Sequence, residues 1–328
     1  RATASESAEG KRCRMSQIAQ KATMVKRWAK ILVGGTEVAV EQGLGRCSRV
    51  GELAGYWNDL TGKVSPNTLL DGEGIPLSVI AGGKKVNFPI AVFQYALGCH
   101  DLSLLEPERA EGHIGALRAC ADWALSAQRA DGSWDAFGPI GSARYTVSSM
   151  AQGEGCSMLL RAHHMFSGDR YLEAALSAAR FMLVDISDGG TAVHDDGLFL
   201  EEYPQRPRRS VMNGWMFSLF GLYDASLVEP SFGESFALSA DTLARHLDDY
   251  DAGYWSLYDL ERRIASPAYH ALHIAQLRVM EELAGDTRFA TKAARFEGYA
   301  EKGANRFCAV AGKVFQKVTE KSDAVVVQ

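Results

Sequence analysis

The chain lacks several things at once. Its cysteines, Cys13, Cys47, Cys99, Cys120, Cys156 and Cys308, are widely spaced, and none form a C-x-x-C pair. That argues against a disulfide framework or a cysteine zinc site, and reads as buried or free thiols in a reducing compartment. No apolar run is long enough to cross a bilayer. Residues 1–14 are polar and hold none of the apolar core of a signal peptide. Met15 is the expected start, 1–14 a disordered extension, and a cytoplasmic location with no membrane partner is favoured. An excess of positive charge is missing too. The formal net charge of −5 argues against a nucleic-acid binder, but a local arginine cluster can still hold a polyanion.

What is present is ordinary for a globular protein: 47% hydrophobic and 23% charged residues. Residues 15–86 are expected to pack on the main body. They hold an amphipathic stretch around Met24, Trp28, Ile31 and Leu32, then a Gly-, Asp- and Pro-rich segment. There Val79-Ile80 and Lys85-Val86 could flank a β-hairpin turning at Gly82-Gly83. From Asn87 the signal is helical, with Leu172, Ala175, Leu176, Ala179 and Leu183 on one face. In Phe166-Ser167-Gly168-Asp169, Gly168 suits the left-handed closing position and Asp169 the next cap. The same punctuation returns at Leu283-Ala284-Gly285-Asp286, which suggests repeated helical hairpins. The helix starting near Asn213 is apolar nearly all round, through Trp215, Met216, Phe217, Leu219, Phe220 and Leu222, and should be buried on every side. The expected fold is therefore mainly α: an (α/α) toroid or partial barrel over residues 87–310, with 311–328 as a C-terminal tail. Gln128-Arg129-Ala130-Asp131-Gly132-Ser133-Trp134 is similar to a turn motif of toroidal terpene cyclases. It stands in one copy, without the aspartate-rich acid motif of those enzymes, and is read as a structural staple.

The chemistry concentrates in Glu201-Glu202-Tyr203-Pro204, which precedes Arg206, Arg208 and Arg209. Carboxylate and phenol move protons, and arginines suit an anionic substrate. Two later segments add to it: Leu257-Tyr258-Asp259-Leu260, and Tyr269-His270-Ala271-Leu272-His273-Ile274-Ala275-Gln276-Leu277. On a helix Tyr269, His273 and Gln276 share a face, with His270 beside it. The paired histidines have the spacing of metal ligands, but no obvious third ligand stands nearby. They are read as hydrogen-bonding site residues; no metal and no cofactor is expected. Taken in order with Asn87–Gly98, Ser149-Met150-Ala151-Gln152-Gly153, Asn213-Gly214-Trp215 and Gly221-Leu222-Tyr223-Asp224, these segments resemble the C-terminal domain of the D-glucuronyl C5-epimerase family across roughly residues 87 to 300.

The resemblance implies an α/α toroid that inverts C5 of glucuronate in heparosan-like chains, giving iduronate. By carry-over the catalytic group is Glu202, Tyr203, Tyr258 and Tyr269, with Glu202 and Tyr269 as the opposed acid/bases. Gln152, Arg206, Asn213, Arg263, His270, His273 and Gln276 are the expected substrate contacts; Asn213 could equally cap the helix that follows it. The partner is an acidic polysaccharide, and a homodimer is compatible with it. Proton abstraction beside a carboxylate needs that charge neutralised, and a tyrosinate base needs a pKa lowered by arginine or histidine. Glu261 stands where the family usually has a basic residue, so Arg263 is preferred as the carboxylate clamp. Two other classes remain open. One is a lyase or a glycosidase, the latter pairing Glu202 with Asp196 or Asp259. The other is a glycan-binding protein without catalysis.

Overall fold

The computed structural model describes residues 41–80, 82–142 and 144–319. The stretch expected around Met24 and the extension 1–14 lie outside the described residues. Nine helices occur among those described. They are α1 (Pro89–Leu105), α2 (Ala110–Ala127), α3 (Ser149–Phe166), α4 (Asp169–Met182), α5 (Met212–Ser226), α6 (Phe232–Arg245), α7 (Pro267–Ala284), α8 (Thr287–Ala300) and α9 (Gly303–Thr319). No described helix is long and apolar enough to cross a membrane.

The first eight helices form four hairpins, α1–α2, α3–α4, α5–α6 and α7–α8, and contacts also run from α1 to α3, α3 to α5 and α5 to α7. α1, α3 and α5 are buried along almost their whole length. α4, α6 and α8 bury one face only. The apolar-all-round segment is thus an inner helix and the one-sided segments are outer ones, as their side-chain periodicity requires. Burial of each large apolar side chain, such as Trp215 or Phe217, contributes roughly 1.5–3 kcal/mol. α3 and α5 meet backbone to backbone. A methyl on Gly153 would stand 2.6 Å from the Phe217 carbonyl oxygen, and one on Gly221 would strike Gly153. Two of the motif glycines are therefore a contact surface between inner helices.

Two short antiparallel pairs complete the elements: β1 (Ser78–Val79) with β2 (Lys85–Val86), and β3 (Ala192–Val193) with β4 (Phe199–Leu200). The first is the expected hairpin, with Gly82 and Gly83 at φ 84° and 78°. Gly285 closes α7 in the left-handed region and Asp286 caps α8 by accepting from the Arg288 amide, as expected. At the α3–α4 turn the chain reverses one residue earlier. Ser167, not Gly168, takes positive φ, and Gly168 is the extended N-cap, with Asp169 already inside α4. A methyl at 168 would sit 3.1 Å from the Tyr171 ring, a tight approach that the ring would have to yield to.

The segment before α1 packs across the inner helices. Arg161 of α3 donates to the carbonyls of Ala54 (3.0 Å) and Gly55 (3.1 Å), and pairs with Asp224 of α5 at 2.6 Å. Trp57 donates to the same aspartate at 2.9 Å. Gln128 and Trp134 do staple helix ends. The Gln128 amide donates to the carbonyls of Gly132 and Ala174, and the indole donates to that of Ala124. The expected boundary at residue 310 falls inside α9, whose Gln316 accepts from the Ile264 amide and donates to the Arg262 carbonyl.

Candidate active site

β4 delivers two adjacent glutamates, and the alternation of an extended chain sends them opposite ways. Glu201 is consumed by structure. Its amide donates to Thr191 at 2.8 Å, its carbonyl accepts from Ser149 at the start of α3, and its carboxylate accepts from the Ser210 amide and hydroxyl. Those bonds fix both ends of the 203–209 loop. Glu202 is left to face the Gly214 backbone. It is 5% exposed, its Oε2 has no partner, and a methyl on Gly214 would approach that oxygen to 2.5 Å. Burial raises its pKa to about 7, against the Tyr203 hydroxyl and the charges of Arg209 and Arg263; Asp259 pushes the same way as burial.

The three phenols stand around this carboxyl. Tyr203 stacks on Phe137 at 4.9 Å, takes the edge of Tyr145 at 5.5 Å, and lies under the Arg209 guanidinium at 4.4 Å. Tyr258 and Tyr269 meet edge to face at 4.9 Å. Tyr258 is set by its own backbone, whose amide donates to Arg263 (2.6 Å) and whose carbonyl accepts from Met212 (3.1 Å). Tyr269 opens the first turn of α7, where Ser266 caps its amide and Pro267 begins the helix. Lys313 of α9 lies 5.7 Å from the centre of the Tyr258 ring.

No tyrosinate is built into the resting protein. Burial drives Tyr203 and Tyr258 well above the usual phenol value. Tyr269 is raised to about 12 by desolvation and the Glu202 charge, with hydrogen bonding to Tyr258 opposing. Tyr269 is 40% exposed, yet the protein crowded around the hydroxyl lowers the local dielectric and still favours the neutral phenol. The lowering that a tyrosinate base would require is absent from these three phenols, because burial outweighs the nearby arginine charge. Burial thus keeps the three phenols protonated, and Glu202 is the group whose pKa lies near neutrality.

Asp259 organises the cations. It has no exposed surface and holds Arg209 Nε at 3.2 Å and an Arg263 terminal nitrogen at 2.5 Å. Arg263 also pairs with Glu261 at 2.8 Å. The carboxylate clamp expected of Arg263 therefore starts from an existing ion pair. Of the three arginines after Tyr203, only Arg209 enters the site. Arg206, with 54% of its side chain exposed, and Arg208 share Asp195 instead, at 3.3 and 2.8 Å. For hydrolysis, Asp259 is committed to arginine, and Asp196 is 62% exposed among Arg208, Arg245 and His246.

The remaining expected contacts divide in two. Gln152 is fully buried: its amide nitrogen donates to the Gly132 and Ala178 carbonyls and its oxygen accepts from the Trp134 amide. It ties the 128–134 turn to α3 and α4 and has nothing left for a substrate. His270 is likewise structural. It stacks on Trp255 at 3.7 Å, donates from Nε2 to the Phe296 carbonyl at 3.0 Å, and accepts at Nδ1 from the Ser256 amide at 3.2 Å. Burial lowers its pKa to about 4. The second group carries buried polar atoms with no hydrogen-bond partner: Asn213 Oδ1, Gln276 Oε1 and His273 Nε2. Gln276 donates to the Asn213 carbonyl at 3.3 Å, which joins α7 to the first turn of α5. Asn213 makes no cap, since Val211 occupies the cap position. His273 bonds Ser256 Oγ at 3.0 Å through Nδ1, and burial holds it neutral, its pKa lowered to about 3.

Sequence reasoning missed Arg209 as the one inward arginine, Asp259 as its anchor, and Tyr145 and Lys313 at the rim. The signal for Asp259 was in the sequence: a single carboxylate within the Y-D-L segment, four residues before Arg263. Comparison with known proteins adds to this geometry. Residues 143–298 match the D-glucuronyl C5-epimerase C-terminus. A protein of Caenorhabditis elegans named D-glucuronyl C5-epimerase is 31% identical over a match covering 59% of this chain and 36% of that protein. The match thus spans little more than a third of that relative's length.

Proposed function

From the premise that residues 143–298 carry the C-terminal domain of the D-glucuronyl C5-epimerase family, we propose that this chain is an isomerase that inverts C5 of glucuronate within a heparosan-like acidic polysaccharide. The observation that carries the reading is Glu202, a buried carboxyl with an unpaired oxygen and a pKa raised to about 7, set among three phenols and Arg209. A general base works best when its pKa lies near the working pH. On this reading Glu202, as carboxylate, takes the proton from C5. The electron pair moves into the sugar carboxylate, and Arg209 and Arg263 stabilise the added charge. Tyr269 gives its hydroxyl proton to the opposite side of C5. The product is the other epimer, with Glu202 protonated and Tyr269 ionised.

That form is the one needed to run the reaction backwards, so the mechanism is reversible by construction. Resetting requires only that the proton return from Glu202 to the phenolate, and Tyr258, in contact with Tyr269, is placed to assist. The unpartnered atoms on Asn213, Gln276 and His273 suit sugar hydroxyls, which can donate or accept, after small side-chain turns. Arg206 and Arg208 at the rim suit neighbouring uronates.

The test is incubation with heparosan in heavy water, followed by NMR. Deuterium should enter C5 of the uronates, both epimers should appear, and chain length should not change. An unsaturated uronate would mean a lyase and a shortened chain a hydrolase. No exchange on heparosan or related uronate polymers removes the proposal.

A further inference from the structure

A buried serine joins the two histidines of α7, and its single hydroxyl proton decides the tautomer of both. His270, His273 and Ser256 are all buried. Burial keeps both imidazoles neutral, so each ring carries one proton. His270 Nε2 lies 3.0 Å from the Phe296 carbonyl oxygen, which can only accept, so the His270 proton is on Nε2. Stacking on Trp255 at 3.7 Å, whose indole donates to the Ala265 carbonyl, holds that ring in plane. His270 Nδ1 is then a bare acceptor. Ser256 Oγ lies 2.8 Å from it and 3.0 Å from His273 Nδ1. If the hydroxyl gave its proton to His273, two lone pairs would face each other across the shorter contact. It therefore donates to His270, and the second contact is a bond only if His273 Nδ1 donates to Oγ. That leaves His273 Nε2 without a proton, and it has no partner. His273 stands between Tyr269 and Gln276 on one face of α7. Tyr269 meets Tyr258, and Gln276 donates to the Asn213 carbonyl, next to the Gly214 that borders Glu202 Oε2.

We infer that Ser256 and His270 are positioning residues that fix the His273 proton on Nδ1, so that Nε2 offers a lone pair which takes a sugar hydroxyl and refuses the sugar carboxylate. The role toward the sugar rests on the epimerase reading; the tautomer does not. The bond made by one ring nitrogen sets the state of the other, and here the setting passes from the Phe296 carbonyl through His270 and Ser256 to His273. A hydroxyl can donate to the bare nitrogen, whereas a carboxylate has no proton to give and would be left unpaired in a buried place. The consequence is orientation. The hydroxyl edge of the uronate goes to α7, and its carboxylate is left to the side of Arg209 and Arg263.

The experiment has two arms. In the first, the protein carries nitrogen-15 in its histidine rings, and long-range proton–nitrogen NMR at neutral pH reads the tautomer of each ring. Wild type should show His270 protonated on Nε2 and His273 on Nδ1. Ser256→Ala should leave His270 as it is, because the backbone amide of residue 256 still reaches its Nδ1 at 3.2 Å, and should let the His273 proton appear on Nε2. A heparosan oligosaccharide added to wild type should shift the His273 Nε2 signal while the proton stays on Nδ1. A proton on His273 Nε2 in the wild type, or a His273 tautomer unmoved by Ser256→Ala, overturns the inference. An Nε2 signal unmoved by saturating oligosaccharide overturns the contact with the sugar. In the second arm, deuterium exchange on heparosan is measured for both proteins. Ser256→Ala should raise KM roughly 2–10-fold, the worth of one neutral hydrogen bond, with the loss falling on KM more than on kcat. An unchanged KM overturns the positioning role. Should Ser256→Ala not fold, the wild-type tautomers and their response to oligosaccharide still decide. If His273 carries its proton on Nδ1 but no polymer exchanges at C5, the epimerase reading fails and the tautomer stands.

Discussion

Glu202→Gln should make the protein more stable, and should do so only as pH rises. The folded-state pKa of Glu202 is raised from 4.5 to about 7 by burial. Between those values the unfolded chain has lost this proton while the folded protein still holds it. The unfolded state binds fewer protons there, so wild-type stability falls as pH rises through the window and is level above it. A displacement of about 2.5 pH units, at ~1.4 kcal/mol for each, is a cost of roughly 3 kcal/mol carried above pH 7. Glutamine has the same shape and never ionises, so it escapes that cost. Its amide introduces a different, pH-independent term against the Gly214 backbone, and this cancels when two pH values are compared. The assay is urea unfolding of both proteins at about pH 4 and about pH 8, with the m-values checked for equality. The stability difference, mutant minus wild type, should grow by roughly 3 kcal/mol between them. A difference that is constant, or that shrinks toward alkaline pH, would refute the claim that Glu202 is held in a desolvated site. On the proposed reading, function and stability oppose each other at this one carboxyl.

Two further outcomes follow. Tyr269→Phe preserves the ring that meets Tyr258 at 4.9 Å and should change stability by only about 1 kcal/mol. It should abolish net inversion while still allowing deuterium exchange into the epimer that faces Glu202; a folded variant with the wild-type inversion rate would remove Tyr269 from the mechanism. Gly214→Ala places a methyl 2.5 Å from Glu202 Oε2 and should lower kcat/KM on heparosan by ~10²-fold through displacement of the base; unchanged kinetics would show that Glu202 works from another position.

The hairpins and the inner or outer character of their helices were legible, because a period of 3.6 residues records which faces are buried. The motif segments also located Glu202, Tyr203, Tyr258 and Tyr269, which stand near one another through interactions the sequence could not display. What the sequence could not show is how polar groups are spent. Gln152 and His270 looked like substrate contacts because they sit in motif segments, but backbone groups of neighbouring turns and helices absorb them. The direction of an arginine is equally hidden. Arg206, Arg208 and Arg209 are near neighbours in sequence, and only the position of Asp259 decides which one turns inward. The tyrosine acidities are hidden in the same way, since burial outweighs a nearby guanidinium. α9 runs past the expected boundary at residue 310, and its buried residues include Ala309 and Val310.

The doubled glutamate carries a lesson about reading genes. Glu201 and Glu202 are the same letter twice, yet one is a peg in a joint with Ser210 and the other is a buried carboxyl with an unpartnered oxygen. Loss of either codon would leave an identical remaining text, E-Y-P, and no record of which glutamate had gone. The single survivor could not occupy both places, because successive residues of the extended chain face opposite sides. A homologue with one glutamate there would either keep its loop and lose the buried carboxyl, or keep that carboxyl on an unpegged loop. Spelling alone would not distinguish these fates, and an alignment would score the change as one harmless gap.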